Sequence, residues 1–208
     1  MELSKSGNRG SRAALGAALI VIFLTLAGCG TTNPSPTHKP AHAAATPTSQ
    51  KSEPPYTVED TTRGFVYKDS VAGYALTFPQ RPDVEPLANN ETNQPANFVS
   101  ADLTPGEFAS TGQVLDKTPN LRAQLMGFVQ TLNPSGQVSA SSYTLGGLEA
   151  DQAQFTTGNS SALPSNLVGL PAEIVVAGDG HNYYQLIAIG GTAAQRQAFF
   201  DSFKRIDK

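Results

Sequence analysis

In Gly73-Tyr74-Ala75-Leu76-Thr77-Phe78 the large side chains fall on every second position, the period of a strand with one buried face, and Pro79 stops the run. Phe65 and Tyr67 form a shorter alternation just before it. Val99, Ala101 and Leu103 alternate with Ser100 and Asp102 and end at the turn sequence Thr104-Pro105-Gly106. The period then changes: Leu121, Leu125, Phe128, Val129 and Leu132 lie on one helical face. Thr118 is the expected N-cap with Pro119 at the first helical position, and Asn133-Pro134-Ser135-Gly136 closes the segment. Val138–Leu145 and Leu148–Thr157 read as a hairpin across Gly146-Gly147. Within 172–190, Ile174-Val175-Val176 and the run from Tyr183 to Ile189 are two apolar stretches around a Gly178–Asn182 turn, which predicts a central hairpin covered on both faces. The chain closes with Thr192 as N-cap, Gln195 three residues on, and a helix expected to carry Phe199, Phe203 and Ile206 on one face. One domain of mainly antiparallel α+β type is implied.

The first quarter of the chain has a different texture. From Gly30 to Pro55 there is no Val, Ile, Leu, Met or Phe, while prolines recur at 34, 36, 40, 47, 54 and 55 among Ser, Thr and Ala. Such a stretch cannot bury enough apolar surface to order itself. Proline-rich chain extends at ~3.1 Å per residue, which makes it a spacer, and its Thr-Pro content resembles glycosylated stalks. Before it, Lys5, Arg9 and Arg12 precede an apolar run from Ala13 to Ala27, the layout of a secretory signal. The run falls short of the ~20 apolar residues that a spanning helix needs. It ends in Leu26-Ala27-Gly28-Cys29, which resembles a bacterial lipobox, the motif after which a peptidase cuts so that the cysteine carries lipid. Cys29 is the single cysteine of the 208 residues. An ordinary secretory cut near Ala27 would leave an odd exposed thiol. The expected organisation is a signal peptide over 1–28, a lipidated Cys29 with a stalk over 29–57, and a globular domain over 58–208, held on the extracytoplasmic face of the cell membrane.

Charge narrows the partners. Removing residues 1–28 takes three of 14 basic groups and one of 17 acidic groups, leaving 11 and 16 and a net charge of −5 with histidine neutral. That balance disfavours nucleic acid and supplies no basic patch for anionic headgroups, so association with the membrane rests on lipid attached to Cys29. No disulfide can form within the mature domain, and stability must come from a hydrophobic core.

Candidate chemistry is sparse. His181 is the single histidine of the domain and sits in a Gly-Asp-Gly-His-Asn turn, where an exposed hairpin tip outweighs a catalytic base. Asp179 with His181 lacks the third and fourth donors of a metal site, and His38 with His42 lies in proline-rich chain without a fixed helix face. Asp83, Glu85, Glu149 and Asp151 read as solvated edges and loops. No nucleophile elbow and no phosphate-cradling loop occurs, so no catalytic residue, metal or cofactor is expected. The loop from Gly158 to Pro171 is the exception, because Leu163, Leu167, Val168 and Leu170 need somewhere to go. They either cap the open end of the sheet as a satellite of the core or line a groove for an apolar ligand or partner. Tyr184 is a further contact candidate, since successive strand residues face opposite sides.

The order of these pieces carries a resemblance: the Gly73–Pro79 strand, a polar loop, the middle helix, Gly146-Gly147-Leu148-Glu149-Ala150, then Tyr183–Ala188 and a closing Phe199-Phe200-Asp201-Ser202-Phe203-Lys204. Over about residues 63–206 the chain resembles the bacterial PsbP-like and Mog1-like domains, a group that includes many actinobacterial lipoproteins. The resemblance implies a twisted, mainly antiparallel sheet flanked by helices on both faces, and a non-enzymatic accessory or interaction role. It brings no shared catalytic residues. The expected function is a non-catalytic binding module of the cell envelope; a carrier of lipid or another apolar ligand is the alternative, and an unrecognised hydrolase the third.

Overall fold

A computed structural model describes residues 55–87, 94–117 and 119–206. Among these residues eleven strands form two sheets, and every pairing is antiparallel. The four-stranded sheet has the order β1 (Tyr56–Thr61), β2 (Gly64–Asp69), β3 (Tyr74–Phe78) and β11 (Lys204–Arg205). The seven-stranded sheet runs β4 (Asp83–Leu87), β5 (Ala96–Leu103), β6 (Gly106–Val114), β10 (Asn182–Gly190), β9 (Pro171–Gly178), β8 (Leu148–Thr156), β7 (Ser141–Leu145). Among the described residues two helices complete the α+β fold, α1 (Leu121–Leu132) and α2 (Ala193–Asp201), with one 3-10 turn at Ser165–Leu167. The apolar alternation of a single sheet thus resolves into two, because the residues of β2 and β3 pack on the larger sheet instead of extending it.

The β9–β10 hairpin lies at the centre of the larger sheet, as its largely apolar runs require. Alternate residues of these strands enter separate clusters. Val175, Ala177, Tyr184, Leu186 and Ala188 join Tyr67, Tyr74, Leu76 and Phe78 of the smaller sheet together with Phe199, Phe200 and Phe203. Ile174, Val176, Tyr183, Ile187 and Ile189 join Leu125, Phe128, Val129 and Leu132 of α1. Each core residue of β9 and β10 is thereby assigned by strand parity. Gly112 of β6 lets the smaller sheet approach: a Cβ there would come 2.5 Å from the Tyr74 ring. Gly146 and Gly147, at φ +54° and +86°, make the left-handed turn that joins β7 to β8.

Helix boundaries differ from expectation in both helices. Asn120, not Thr118, is the N-cap of α1; its Oδ1 accepts the Ala123 N–H at 3.0 Å, so Pro119 precedes the cap, and Thr118 lies outside the described residues. At the C-terminus Thr192 and Gln195 make the expected reciprocal capping box, at 3.2 and 2.7 Å. The helix stops at Asp201, before Phe203 and Ile206. The stop has a local cause. Ser202 Oγ donates to Phe199 O at 2.7 Å and accepts the Thr77 N–H at 2.9 Å, and the next residues take up strand bonds along β3, ending with Ile206 N–H to Gly73 O at 3.0 Å.

Candidate functional site

Cys29, His38 and His42 lie outside the described residues. No helix among the described residues is long and apolar enough to cross a membrane.

Leu163 and Leu167 are buried in the cluster built on α1, and Val168 and Leu170 pack against it half-buried. The backbone explains their placement. Thr157 Oγ1 donates to Leu167 O at 2.6 Å and accepts the Leu170 N–H at 3.0 Å, while Gly158 N–H donates to Leu132 O at 2.8 Å. The segment is therefore stitched to the end of α1 and to itself, and its leucines extend the core. Tyr184 belongs to the other cluster; it is 1% exposed and its hydroxyl donates to Ala72 O at 2.9 Å. Burial raises its pKa to about 12. The tyrosine and the leucine loop, on opposite sides of the sheet, do not share a site.

Among the described residues, three surface clefts bear on these readings. One of about 570 Å³ runs between α2 and the smaller sheet past Arg63, Thr77, Asp201, Ser202 and Lys204. A second, about 480 Å³, is edged by Leu103, Pro105, Leu170 and Gly191. The third, about 310 Å³, is edged by Ala72, His181, Tyr184 and Arg205.

His181 is exposed at the β9–β10 turn, and its neighbour Asp179 builds that turn. Asp179 Oδ1 accepts the His181 N–H at 3.2 Å and the Asn182 N–H at 2.8 Å; its Oδ2 meets Arg205 Nη2 at 3.2 Å. Burial works to raise the Asp179 pKa, but the bonds from Asn182 and His181 and the Arg205 charge outweigh it and hold the group below its ordinary value. A carboxylate so occupied is a turn-former. Among the described residues no group of three His, Cys, Asp or Glu is placed to hold a metal ion.

Two polar features were not singled out by sequence pattern. The first is a buried network: Tyr67 Oη donates to Asp69 Oδ2 at 2.9 Å, Asn97 Nδ2 donates to Tyr67 Oη at 3.2 Å, and Asp69 Oδ1 accepts the Val71 and Ala72 N–H groups at 2.9 and 2.8 Å. It links β2 to β5 across the two sheets, beside a run of rings in which Tyr74 stacks on Phe203 at 5.8 Å and Phe203 meets Tyr184 edge-on at 5.1 Å. The second is Glu107 on β6, 8% exposed and directly opposite Asp102 on β5. Burial first, then the charges of Asp102 and Glu85, push its pKa up to about 8, so at neutral pH it is largely a protonated hydrogen-bond donor. Glu85 is half-buried, contrary to the solvated edge expected of it; Asp83 and Glu149 are exposed, and Asp151 is half-buried 3.2 Å from Arg122. The signal that could have pointed to Glu107 is a lone acid in an otherwise uncharged strand, Gly106–Val114.

No protein-family model matches the chain, and no curated protein does. Among solved structures, one from Bacteroides thetaiotaomicron VPI-5482 is similar over 71% of this chain, with 11% identity and a TM-score of 0.42. The match covers 50% of that protein, so the chain spans about half the length of the structure that it resembles.

Proposed function

We propose that this chain is a lipoprotein anchored through Cys29 to the extracytoplasmic face of a cell membrane, and that its globular domain is a non-catalytic binding module for another envelope component. The observation that carries this is the solitary cysteine at the end of Leu26-Ala27-Gly28-Cys29, directly behind a basic and then apolar leader. Two or more acyl chains on Cys29 give stable anchoring that a single chain does not, at roughly 0.8 kcal/mol per buried methylene. The proline-rich stretch after it suits a domain that must reach a partner away from the bilayer. The proposed architecture is the PsbP/Mog1-like sandwich with a helix on each face. Placement of the α1 residues in one cluster and Phe199 and Phe200 of α2 in the other supports it.

Cys29→Ser tests the anchor: the variant is expected in the soluble fraction, and retention in the membrane fraction would overturn the reading. Crosslinking in the native envelope tests the module: a specific protein captured reproducibly supports it, and repeated capture of none removes it. A carrier of lipid or another apolar ligand is the second reading, favoured by Leu170 at the edge of the 480 Å³ cleft, a volume within the ordinary range of small-molecule sites. Burial of Leu163 and Leu167 in the core counts against a groove beneath their loop. Native mass spectrometry of the gently released protein separates the two, a stoichiometric lipid-sized adduct favouring the carrier.

A further inference from the structure

Thr111, Tyr183 and Gln185 are 2%, 3% and 1% exposed, and the Thr111 hydroxyl, the Tyr183 hydroxyl and both amide atoms of Gln185 have no protein hydrogen-bond partner. The three share one side of the larger sheet. Gln185 pairs directly with Thr111 across β10 and β6 and with Val176 across β9; Thr111 pairs with Phe98 of β5. Val176, Phe98 and Tyr183 all belong to the cluster built on α1, which places the three polar side chains on that side. Tyr183 stands two residues from Gln185 and diagonal to Thr111, a separation of roughly 7–8 Å that a long aromatic side chain can reach across.

A buried amide or hydroxyl left without a partner costs more than an ordinary hydrogen bond returns, so three adjacent ones need an occupant that supplies what the protein does not. The available groups are two hydroxyls, one carbonyl and one amide N–H pair, all neutral, offering both donors and acceptors. A charged guest would enter apolar surroundings of Phe98, Val176 and Ile187 without a counter-charge, and an apolar guest would leave every polar atom unsatisfied. We propose that Thr111, Tyr183 and Gln185 form an internal polar site that holds a neutral hydroxylic guest, either ordered water or the hydroxyl of a small retained molecule. A water needs two to four polar partners, and these three side chains carry four unpartnered polar atoms between them. The inference is independent of the anchor and the partner proposed above.

Tyr183→Phe and Thr111→Val each remove one hydroxyl with little change of shape, so both variants should fold. If the hydroxyls bond a guest, each change leaves that guest short of a partner, and the unfolding equilibrium constant of the full chain should rise about tenfold. Magnetic relaxation dispersion on the full chain should count long-lived internal water, and native mass spectrometry should detect any retained small molecule. A long-lived water lost in both variants assigns the guest as water; a retained mass lost in both assigns it as an organic hydroxyl. The proposal is overturned if either variant is more stable than the parent, as expected for deletion of an unpaired buried hydroxyl, or if no guest signal responds to the substitutions.

Discussion

Replacing Glu107 by Gln should abolish a pH dependence of stability that the parent chain carries. In the native state this carboxyl sits buried on β6, opposite Asp102 and near Glu85, with its pKa raised from 4.5 to about 8. The native state therefore keeps the proton in a window where the unfolded chain has lost it. Stability from this group is complete below pH 4.5 and falls as pH rises toward 8. At about 1.4 kcal/mol per pH unit across that window, the full linkage is about 5 kcal/mol, comparable with the whole stability of a marginal domain. Glutamine mimics the protonated acid in shape and in neutrality. Urea unfolding followed by far-ultraviolet circular dichroism at pH 5 and pH 8.5 reads the difference. The two proteins should be nearly equal at pH 5, and Glu107→Gln should be the more stable by several kcal/mol at pH 8.5. Titrating groups other than its coupled neighbours Asp102 and Glu85 cancel in the comparison. Parallel pH profiles for the two proteins would refute the assignment of a buried, protonated Glu107.

The remaining perturbations address the core and its polar fastenings. Asp69→Ala removes the acceptor of the Tyr67 hydroxyl and of the Val71 and Ala72 N–H groups, and should cost about 3 kcal/mol in chemical denaturation; an unchanged midpoint would mean the network does not hold the sheets together. Leu167→Ala should cost about 2–4 kcal/mol, as expected for a core leucine, whereas a residue lining an open groove would barely change the unfolding midpoint. Thr192→Ala opens the capping box of α2 and should lower stability by about 1 kcal/mol, with intact stability showing that the box contributes nothing.

Elements whose pattern is local were legible along the chain. The alternation of Tyr74, Leu76 and Phe78, the spacing of Leu125, Phe128, Val129 and Leu132, the Gly146-Gly147 turn and the Thr192–Gln195 box each depend on residues within a few positions of one another, and each stands where the pattern put it. Strand β6 was not legible, because Gly106–Val114 carries only one large apolar side chain, Phe108, among mostly small and polar residues, and its burial comes from neighbours on β5 and β10. The end of α2 was equally hidden. Phe203 continues the helical spacing of Phe199, but the strand bonds offered by β3, more than a hundred residues earlier, draw the chain out of the helix. The polar groups followed the same division. Sequence composition drew attention to His181 and the leucine loop, which the fold places at an exposed turn and in the core. The buried Glu107, the Asp69 network and the Thr111–Tyr183–Gln185 group come from strand register and sheet packing. Short-range periodicity sets which elements form, since it acts through adjacent turns and alternating faces; which polar side chains lose water depends on the pairing of distant strands.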